Sequence, residues 1–269
     1  MTDGTSPSRP AAKIDTSRPH SARIWNYWLG GKDNYPVDRQ VGDEIERLHP
    51  GIITYALADR AFLGRAVRYL AEEAGTRQFL DIGTGLPTVD NTHEVAQRVA
   101  PEARIVYADN DPLVLVHAQA LLTSAPEGST DYVDADLHDP DAIVTAAAKT
   151  LDFDRPIAIM LLGIVNFIAD LDEAYAIVRR LMDSAPAGSH LAISHTTYGP
   201  AMDAAVEYWN RFGTPKLTQR TPEQIAAFFD GMDLLEPGVV SCSRWRPEAE
   251  PWGEPEEVAL FCGLARKRA

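Results

Sequence analysis

Cysteine is scarce in this chain: Cys242 and Cys262 are its only two. They stand too far apart in sequence for a C-x-x-C redox or zinc pair and are too few for a disulfide framework, so buried free thiols in a reducing cytoplasm are expected. Long apolar runs are also missing. No stretch of about 18 apolar residues could span a bilayer, and the opening MTDGTSPSRPAAKIDTSRP lacks the apolar region of a secretory signal. The expectation is a soluble, cytoplasmic protein with no membrane partner. Basic charge is in deficit, with 25 Lys and Arg against 39 Asp and Glu for a net charge of −14. A surface of that sign repels phosphate backbones, which argues against nucleic acid as a partner. Metal-ligand spacing is lacking too. His93 opens HEVAQ, which has Gln97 where H-E-x-x-H needs its second ligand, and the histidines at 20, 49, 117, 138 and 190 are scattered, so no metal is expected. The chain has no internal repeats or low-complexity arrays.

What remains is an ordinary globular composition, 45% hydrophobic and 24% charged over 269 residues, suited to one α/β domain with an appendage. Residues 1–19 mix Ser, Thr, Pro and Gly without periodicity and read as a mobile leader. Residues 20–75 read as a helical extension. SARIWNYWLGG sets Ile24, Trp25, Trp28 and Leu29 at helical spacing before two glycines, and TYALADRAFLGRAVRYLAEEAG does the same with Leu57, Phe62, Leu63, Val67 and Leu70. From residue 76 to 269 short β-rich runs (QFLDI, RIVYAD, DYVDAD, PIAIMLLG, HLAIS) alternate with helical ones over 88–99, 112–122, 139–149 and 171–182. Several of these strands lack in/out alternation, as expected when helices cover both faces of a parallel sheet. The tail adds a helix opened by Thr221-Pro222-Glu223 and two β-like stretches over 234–243 and 257–264, which suits an antiparallel addition. The predicted fold class is a doubly wound, Rossmann-like α/β sheet.

FLDIGTGLP then raises a chemical question, because a stiff apolar strand ends at Asp81 and breaks into Gly83-Thr84-Gly85. In a doubly wound sheet such a turn at the first strand's carboxyl end exposes backbone N–H groups to a ligand. Leu86-Pro87-Thr88 follows, so G-x-G-x-x-G fails at its last glycine and a pyrophosphate cradle is disfavoured. A plain tight turn accounts for this stretch alone equally well. The second strand ends in Asp109, with Asn110 and Asp111 beside it, and an acid there can accept both ribose hydroxyl hydrogens. The competing role is a helix cap before Pro112, which Asp111 fits better. At the third strand's end Asp136 suits an adenine amino group and the Leu137 N–H a ring nitrogen, although a solvated turn explains Asp136 nearly as well. Together these describe a nucleoside site without a phosphate site, which points to S-adenosylmethionine.

PHSARIWNYWLGGKDNY, RQFLDIGTGLPT, HEVAQRVAP, VYADNDP and FFDGMDLLEPG resemble the actinobacterial family of S-adenosylmethionine-dependent methyltransferases long catalogued as a domain of unknown function, within the class I methyltransferase superfamily. The resemblance implies a seven-stranded sheet with its last strand antiparallel. It also implies cofactor contacts from Asp81, Gly83, Thr84 and Gly85 near the methionine moiety, Asp109 and Asn110 at the ribose, Asp136 and Leu137 at adenine, and Gly163 in MLLGIVNFIAD beneath the cofactor. Many relatives carry histidine where this chain has Asn166, and asparagine can orient a substrate but cannot act as a base at neutral pH. The helical extension would be a lid, bringing Lys32, Asp33, Asn34 and Tyr35 over the pocket, with Arg23 and Tyr27 facing the cleft one turn apart. The alternative is a helix docked by Trp25, Trp28 and Leu29 with wet polar neighbours. His195, placed just past the fifth strand, is the candidate base, with Tyr198 nearby; a hydrogen bond to its own turn is the competing role. Trp209, Phe212 and Tyr198 hint at an apolar acceptor, or at core. The expected reaction is methyl transfer from S-adenosylmethionine to a small molecule, releasing S-adenosylhomocysteine. A binding module without catalysis is the second reading. A third, an NAD(P)-dependent oxidoreductase, is weakened by the missing glycine and the lack of a Y-x-x-x-K pair. The residues name neither the acceptor nor the oligomeric state.

Overall fold

The computed structural model describes residues 15–121, 123–247 and 255–269. Three helices come first: α1 (Ser21–Trp28), α2 (Pro36–Leu48) and α3 (Ile52–Glu72). Strand–helix alternation follows with β1 (Gln78–Ile82), α4 (Thr92–Val99), β2 (Arg104–Asp109), α5 (Pro112–Leu121), β3 (Ser129–Asp134), α6 (Pro140–Ala147), β4 (Ala158–Leu162), α7 (Leu171–Ser184) and β5 (His190–Thr196). The remainder holds α8 (Pro200–Phe212), α9 (Pro222–Ala226), β6 (Met232–Leu234), β7 (Val240–Ser241) and β8 (Leu260–Lys267).

The strands form one sheet in the order β3-β2-β1-β4-β5-β8-β6, with the short β7 paired to β8. β1 to β5 run parallel, and β8 is antiparallel to β5, β6 and β7. The described strands therefore number eight where seven were implied; the additional one is the two-residue β7. The two tail stretches pair with each other in antiparallel fashion, as expected: Val240 and Ser241 of the first stand opposite Cys262 and Phe261 of the second. Order reverses between β1 and β4, so the carboxyl ends of those strands open a crevice at the switch point.

Both sheet faces are apolar, as a doubly covered parallel sheet requires. Along β1, Phe79 packs on one side with Phe62, Val67 and Leu70 of α3, while Leu80 and Ile82 pack on the other with Ile143, Val178 and Leu181 of α6 and α7. The buried face of α3 runs through Tyr55, Ala56, Asp59, Phe62, Leu63, Ala66, Val67 and Leu70. Leu57, expected in that stripe, is 53% exposed because the stripe is phased on Tyr55, not on Leu57. Helix α4 starts later than the expected 88, at an Asn91–Glu94 capping box in which Glu94 Oε2 accepts from Asn91 N at 2.8 Å. The anticipated Thr221 cap is present, with Thr221 accepting from the Gln224 N–H. Cys242 and Cys262 are buried and free. The fold sets the Cys262 thiol beside Cys242, whose own thiol burial holds well above its usual range.

Candidate functional site

A cavity enclosing about 960 Å³ of atom-free space, part of it open to solvent, lies over the carboxyl ends of β1, β2 and β4 and under α1. The glycine turn forms its floor. Gly83 (φ +75) and Gly85 (φ +64) both occupy the left-handed region that favours glycine. At Gly83 a Cβ would come within 2.4 Å of the Ile164 side chain, so close packing as well as backbone conformation demands glycine there. Asp109 pins the turn: Oδ2 accepts from Gly85 N at 2.9 Å and Oδ1 from Asp111 N at 3.0 Å. Burial pushes its carboxyl up, and those two N–H groups oppose the rise. Each oxygen keeps a lone pair for a ligand. Asp111 caps α5, accepting from Leu113 N at 2.8 Å, and lies 3.0 Å from His20 Nδ1.

Two further carboxylates line the same cavity. Asp81 is buried, and burial raises it to about 6 against the hydrogen bond from Thr92 Oγ1 at 2.6 Å and the charge of Arg60. Asp59 of α3 is also raised to about 6 by burial, opposed by the Ser194 hydroxyl and Arg60. Its Oδ1 has no hydrogen-bond partner. Sequence reasoning missed Asp59, although the signal exists: ALADRAFLG sets an acid in step with Tyr55, Phe62 and Ala66, on the buried face of an otherwise apolar helix.

Thr84, Asn110 and Gly163 line the cavity with Asp81, Gly83, Gly85 and Asp109, as the sequence grouped them. Asp136 and Leu137 do not. The Asp136 carboxylate stands outside, accepting from Asn110 Nδ2 at 3.0 Å and from His138 N at 2.9 Å, while Leu137 is buried in the core beneath. β3 ends at Asp134, two residues before the expected end, which displaces this corner.

The roof is α1, but not through the residues expected of it. Ser21, Ala22, Trp25, Asn26 and Leu29 line the cavity. Arg23 is buried against α2, with Nε 2.9 Å from Asp38 Oδ2 and its guanidinium donating to the Asp15 and Arg18 carbonyls. The Tyr27 hydroxyl donates to Asp43 at 2.6 Å. The two do not share the cleft, because the face carrying residues 23 and 27 turns toward α2. Lys32 is exposed. Asn34 donates to Asn26 Oδ1 and the Gly31 carbonyl, both at 3.0 Å, and Tyr35 lies under the Arg23 guanidinium, 5.2 Å from ring centroid to Cζ.

His195 lies within β5 instead of beyond it, and is wholly buried. Nδ1 is 2.9 Å from the Thr196 carbonyl and Nε2 is 2.6 Å from Arg220 Nη1. Since the guanidinium only donates, Nε2 accepts and Nδ1 carries the proton. Burial, aided by Arg220, pushes the imidazole down to about 3 against that carbonyl bond. It is a neutral structural residue that lines neither this cavity nor its neighbour, which corrects the base expected at 195. Tyr198 is exposed and donates to the Gln219 carbonyl at 3.2 Å. Asn166 is buried, giving a hydrogen to the Gly163 carbonyl at 3.2 Å and accepting from Thr196 N at 3.0 Å. It ties the ends of β4 and β5 together.

A second, apolar cavity adjoins the first between α1, α2 and α8, with about 540 Å³ of atom-free space, part of it open to solvent. The two share Ser21, Trp25, Gly163 and Phe167. Trp209 is part of the wall, whereas Phe212 is exposed.

The family model described as S-adenosyl methyltransferase matches residues 7–268. The chain belongs to this family. It is a methyltransferase that uses S-adenosylmethionine. Solved relatives agree. A DUF574 family protein from Streptomyces avermitilis is 45% identical, with 95% of this chain and 100% of that one covered at a TM-score of 0.91. A protein from Thermobifida fusca is 39% identical, with 95% and 97% covered at a TM-score of 0.87. Magnesium protoporphyrin IX methyltransferase from Synechocystis, solved with S-adenosylhomocysteine, is 13% identical over 91% of this chain and 93% of that one, at a TM-score of 0.52, and shares the fold alone. No curated protein matches the chain. Among the described residues of the methyltransferase no three His, Cys, Asp or Glu side chains are grouped to hold a metal, and no helix is long and apolar enough to cross a membrane.

Proposed function

We propose that the enzyme transfers the methyl group of S-adenosylmethionine to a small molecule, with the cofactor across the glycine turn and the acceptor beside it under α1. The observation that carries this is the pair of left-handed glycines pinned by Asp109 inside a cavity ringed by carboxylates. Such a set fits a cofactor with a ribose at one end and cationic groups at the other. Asp109, through its remaining lone pairs, would accept the ribose hydroxyls. The Gly83–Gly85 turn and Asp81 would hold the amino-acid end, with the Asp81 carboxylate facing its ammonium. Asn110, anchored on Asp136, would border the nucleoside. When bound, the cofactor supplies an electrophilic methyl group; the protein holds the reactants in line and excludes water.

Enclosure under α1 favours a small acceptor over a protein side chain, and Trp25 would act as the gate between the two reactants. The competing module that binds without catalysis shares the cofactor site and differs only in using no acceptor. Calorimetry decides the cofactor. S-adenosylmethionine and S-adenosylhomocysteine are expected to bind and NAD not to. Asp109→Asn is expected to weaken S-adenosylhomocysteine at least about tenfold, since a charge-assisted pair of hydrogen bonds is lost. Unchanged affinity would refute the ribose assignment.

A further inference from the structure

The apolar cavity has an unusual composition for the edge of an active site. Trp25, Trp28, Met202, Val206, Trp209 and Leu217 supply much of its wall, and no Asp, Glu, Lys, Arg or His is among the described residues that line it. An ion brought there would lose its hydration without gaining a counter-charge, so the walls select a neutral body. Flat aromatic walls match a flat ring. Its polar side chains besides the tryptophans are Ser21, Tyr55, Asn166 and Thr196. The Tyr55 hydroxyl and Thr196 Oγ1 lie 2.6 Å apart and share one hydrogen, which leaves the pair a second hydrogen to donate.

The two cavities meet at Gly163, whose φ of +63 presents bare backbone to both. A carbon-sized atom added there would stand 3.9 Å from Trp25 Cζ2, 4.0 Å from Asn166 Nδ2 and 4.0 Å from Asp59 Oδ2. The meeting point is therefore bordered by a carboxylate from α3 whose other oxygen is unpartnered. Near neutral pH that group is ionised yet still a usable base, since burial holds it at about 6.

We propose that the apolar cavity is the acceptor site, that its occupant is an uncharged, flat aromatic hydroxy compound, and that Asp59 takes the hydroxyl proton at the Gly163 junction. This rests on the methyltransferase reading. The acceptor oxygen bonds to the methyl carbon with a lone pair, the sulfur–carbon bond breaks with its electrons going to sulfur, and the hydroxyl proton passes to the Asp59 carboxylate. Sulfonium and alcohol become thioether and ether, with no oxidant or reductant needed.

The test uses 2-naphthol, with 2-naphthoate as a charged match of similar shape, followed by saturation-transfer NMR on the full chain. The naphthol is expected to bind with or without S-adenosylhomocysteine, and the naphthoate at least about tenfold more weakly. Ala205→Phe, which fills the cavity, should remove naphthol binding and leave S-adenosylhomocysteine affinity unchanged. Val206→Phe serves the same purpose if the first variant does not fold. Equal binding of the naphthoate, or naphthol binding that survives both fillers, would overturn the acceptor assignment. Asp59→Asn should retain both binding affinities while naphthol methylation falls about 100-fold or more. If S-adenosylhomocysteine affinity collapses in that variant, Asp59 is a cofactor ligand and its role as base is refuted. A wild-type chain that binds naphthol but no S-adenosylhomocysteine would sink the methyltransferase reading while leaving the cavity's chemistry standing.

Discussion

Asp59 and Asp81 are carboxylates that the folded chain holds at about 6, well above their value in an unfolded chain. Between the two values the native state binds protons that the unfolded state has released, so each ionisation costs stability as pH rises through that window. A shift of about two units corresponds to roughly 1–3 kcal/mol per site after allowing for their mutual repulsion. Asp59→Asn is therefore expected to raise unfolding free energy by about that much near neutral pH, with the gain shrinking as pH falls below about 6; urea melts at neutral and acidic pH check it. His195 works in the opposite sense. Its folded value near 3 lies below the unfolded one, so the stability it contributes is complete above about pH 6.5 and drains away as acidity increases. His195→Gln is expected to fold less stably yet to flatten this acid loss, and to leave the pH profile of methyl transfer above pH 6 without a displaced limb. A shifted limb in that profile would restore His195 as the base. The surroundings of His195 could not be read from the sequence, whereas the buried position of Asp59 could. HLAISH gives no sign that Arg220, 25 residues away, would reach the ring, and the acid in ALADRAF was passed over once Leu57 had been used to phase the helix.

The glycine turn is the element whose behaviour is most tightly constrained. Gly83→Ala must place a methyl group 2.4 Å from Ile164, whereas at Gly85 the nearest atom, Ala22 Cβ, is 4.0 Å away. Gly85→Ala therefore bears only the cost of a left-handed alanine, about 1–2 kcal/mol, while Gly83→Ala must displace the loop after β4. Calorimetry is expected to show S-adenosylhomocysteine binding abolished by Gly83→Ala and weakened by Gly85→Ala. Gly83→Ala combined with Ile164→Gly should recover part of the loss, because it removes the Ile164 Cγ1, Cβ and Cδ1 atoms that stand 2.4, 2.5 and 2.6 Å from the added methyl group. This element was legible in sequence, since an apolar strand, an acid and two spaced glycines each state a backbone requirement. Helix α1 was legible as a roof but not in its facing. Its apolar and polar residues fit two rotations, and the choice is made by the Arg23–Asp38 pair, whose second member belongs to a helix the sequence did not announce. The corner at Asp136 lies outside the cavity for a related reason: pattern alone could not fix where β3 ends.

At the scale of the whole molecule, the composition break near residue 75 separates helical from alternating sequence, but the packing runs across it. Phe62 of α3 is wholly buried and meets the Trp245 ring edge-on at a centroid distance of 5.3 Å. Arg65 donates to the Trp245 and Cys242 carbonyls at 2.8 and 2.6 Å. The same core includes Phe79 of β1, Met160 of β4 and Leu264 of β8. Helices from the first quarter of the chain thus complete a core with the last strand, and neither part can bury its apolar face without the other. Unfolding in urea is accordingly expected to be a single transition, with tryptophan fluorescence and far-UV circular dichroism coinciding. Phe62→Ala should lower stability by about 3–5 kcal/mol and shift both signals together. Two separated transitions, or a far-UV signal that Phe62→Ala leaves in place while the tryptophan signal moves, would mean that α1 to α3 fold as an independent lid. The distinction bears on mechanism: Asp59 sits on α3, so a helix that opened separately would carry the carboxylate away from Gly163, whereas a shared core holds it there in every molecule that is folded.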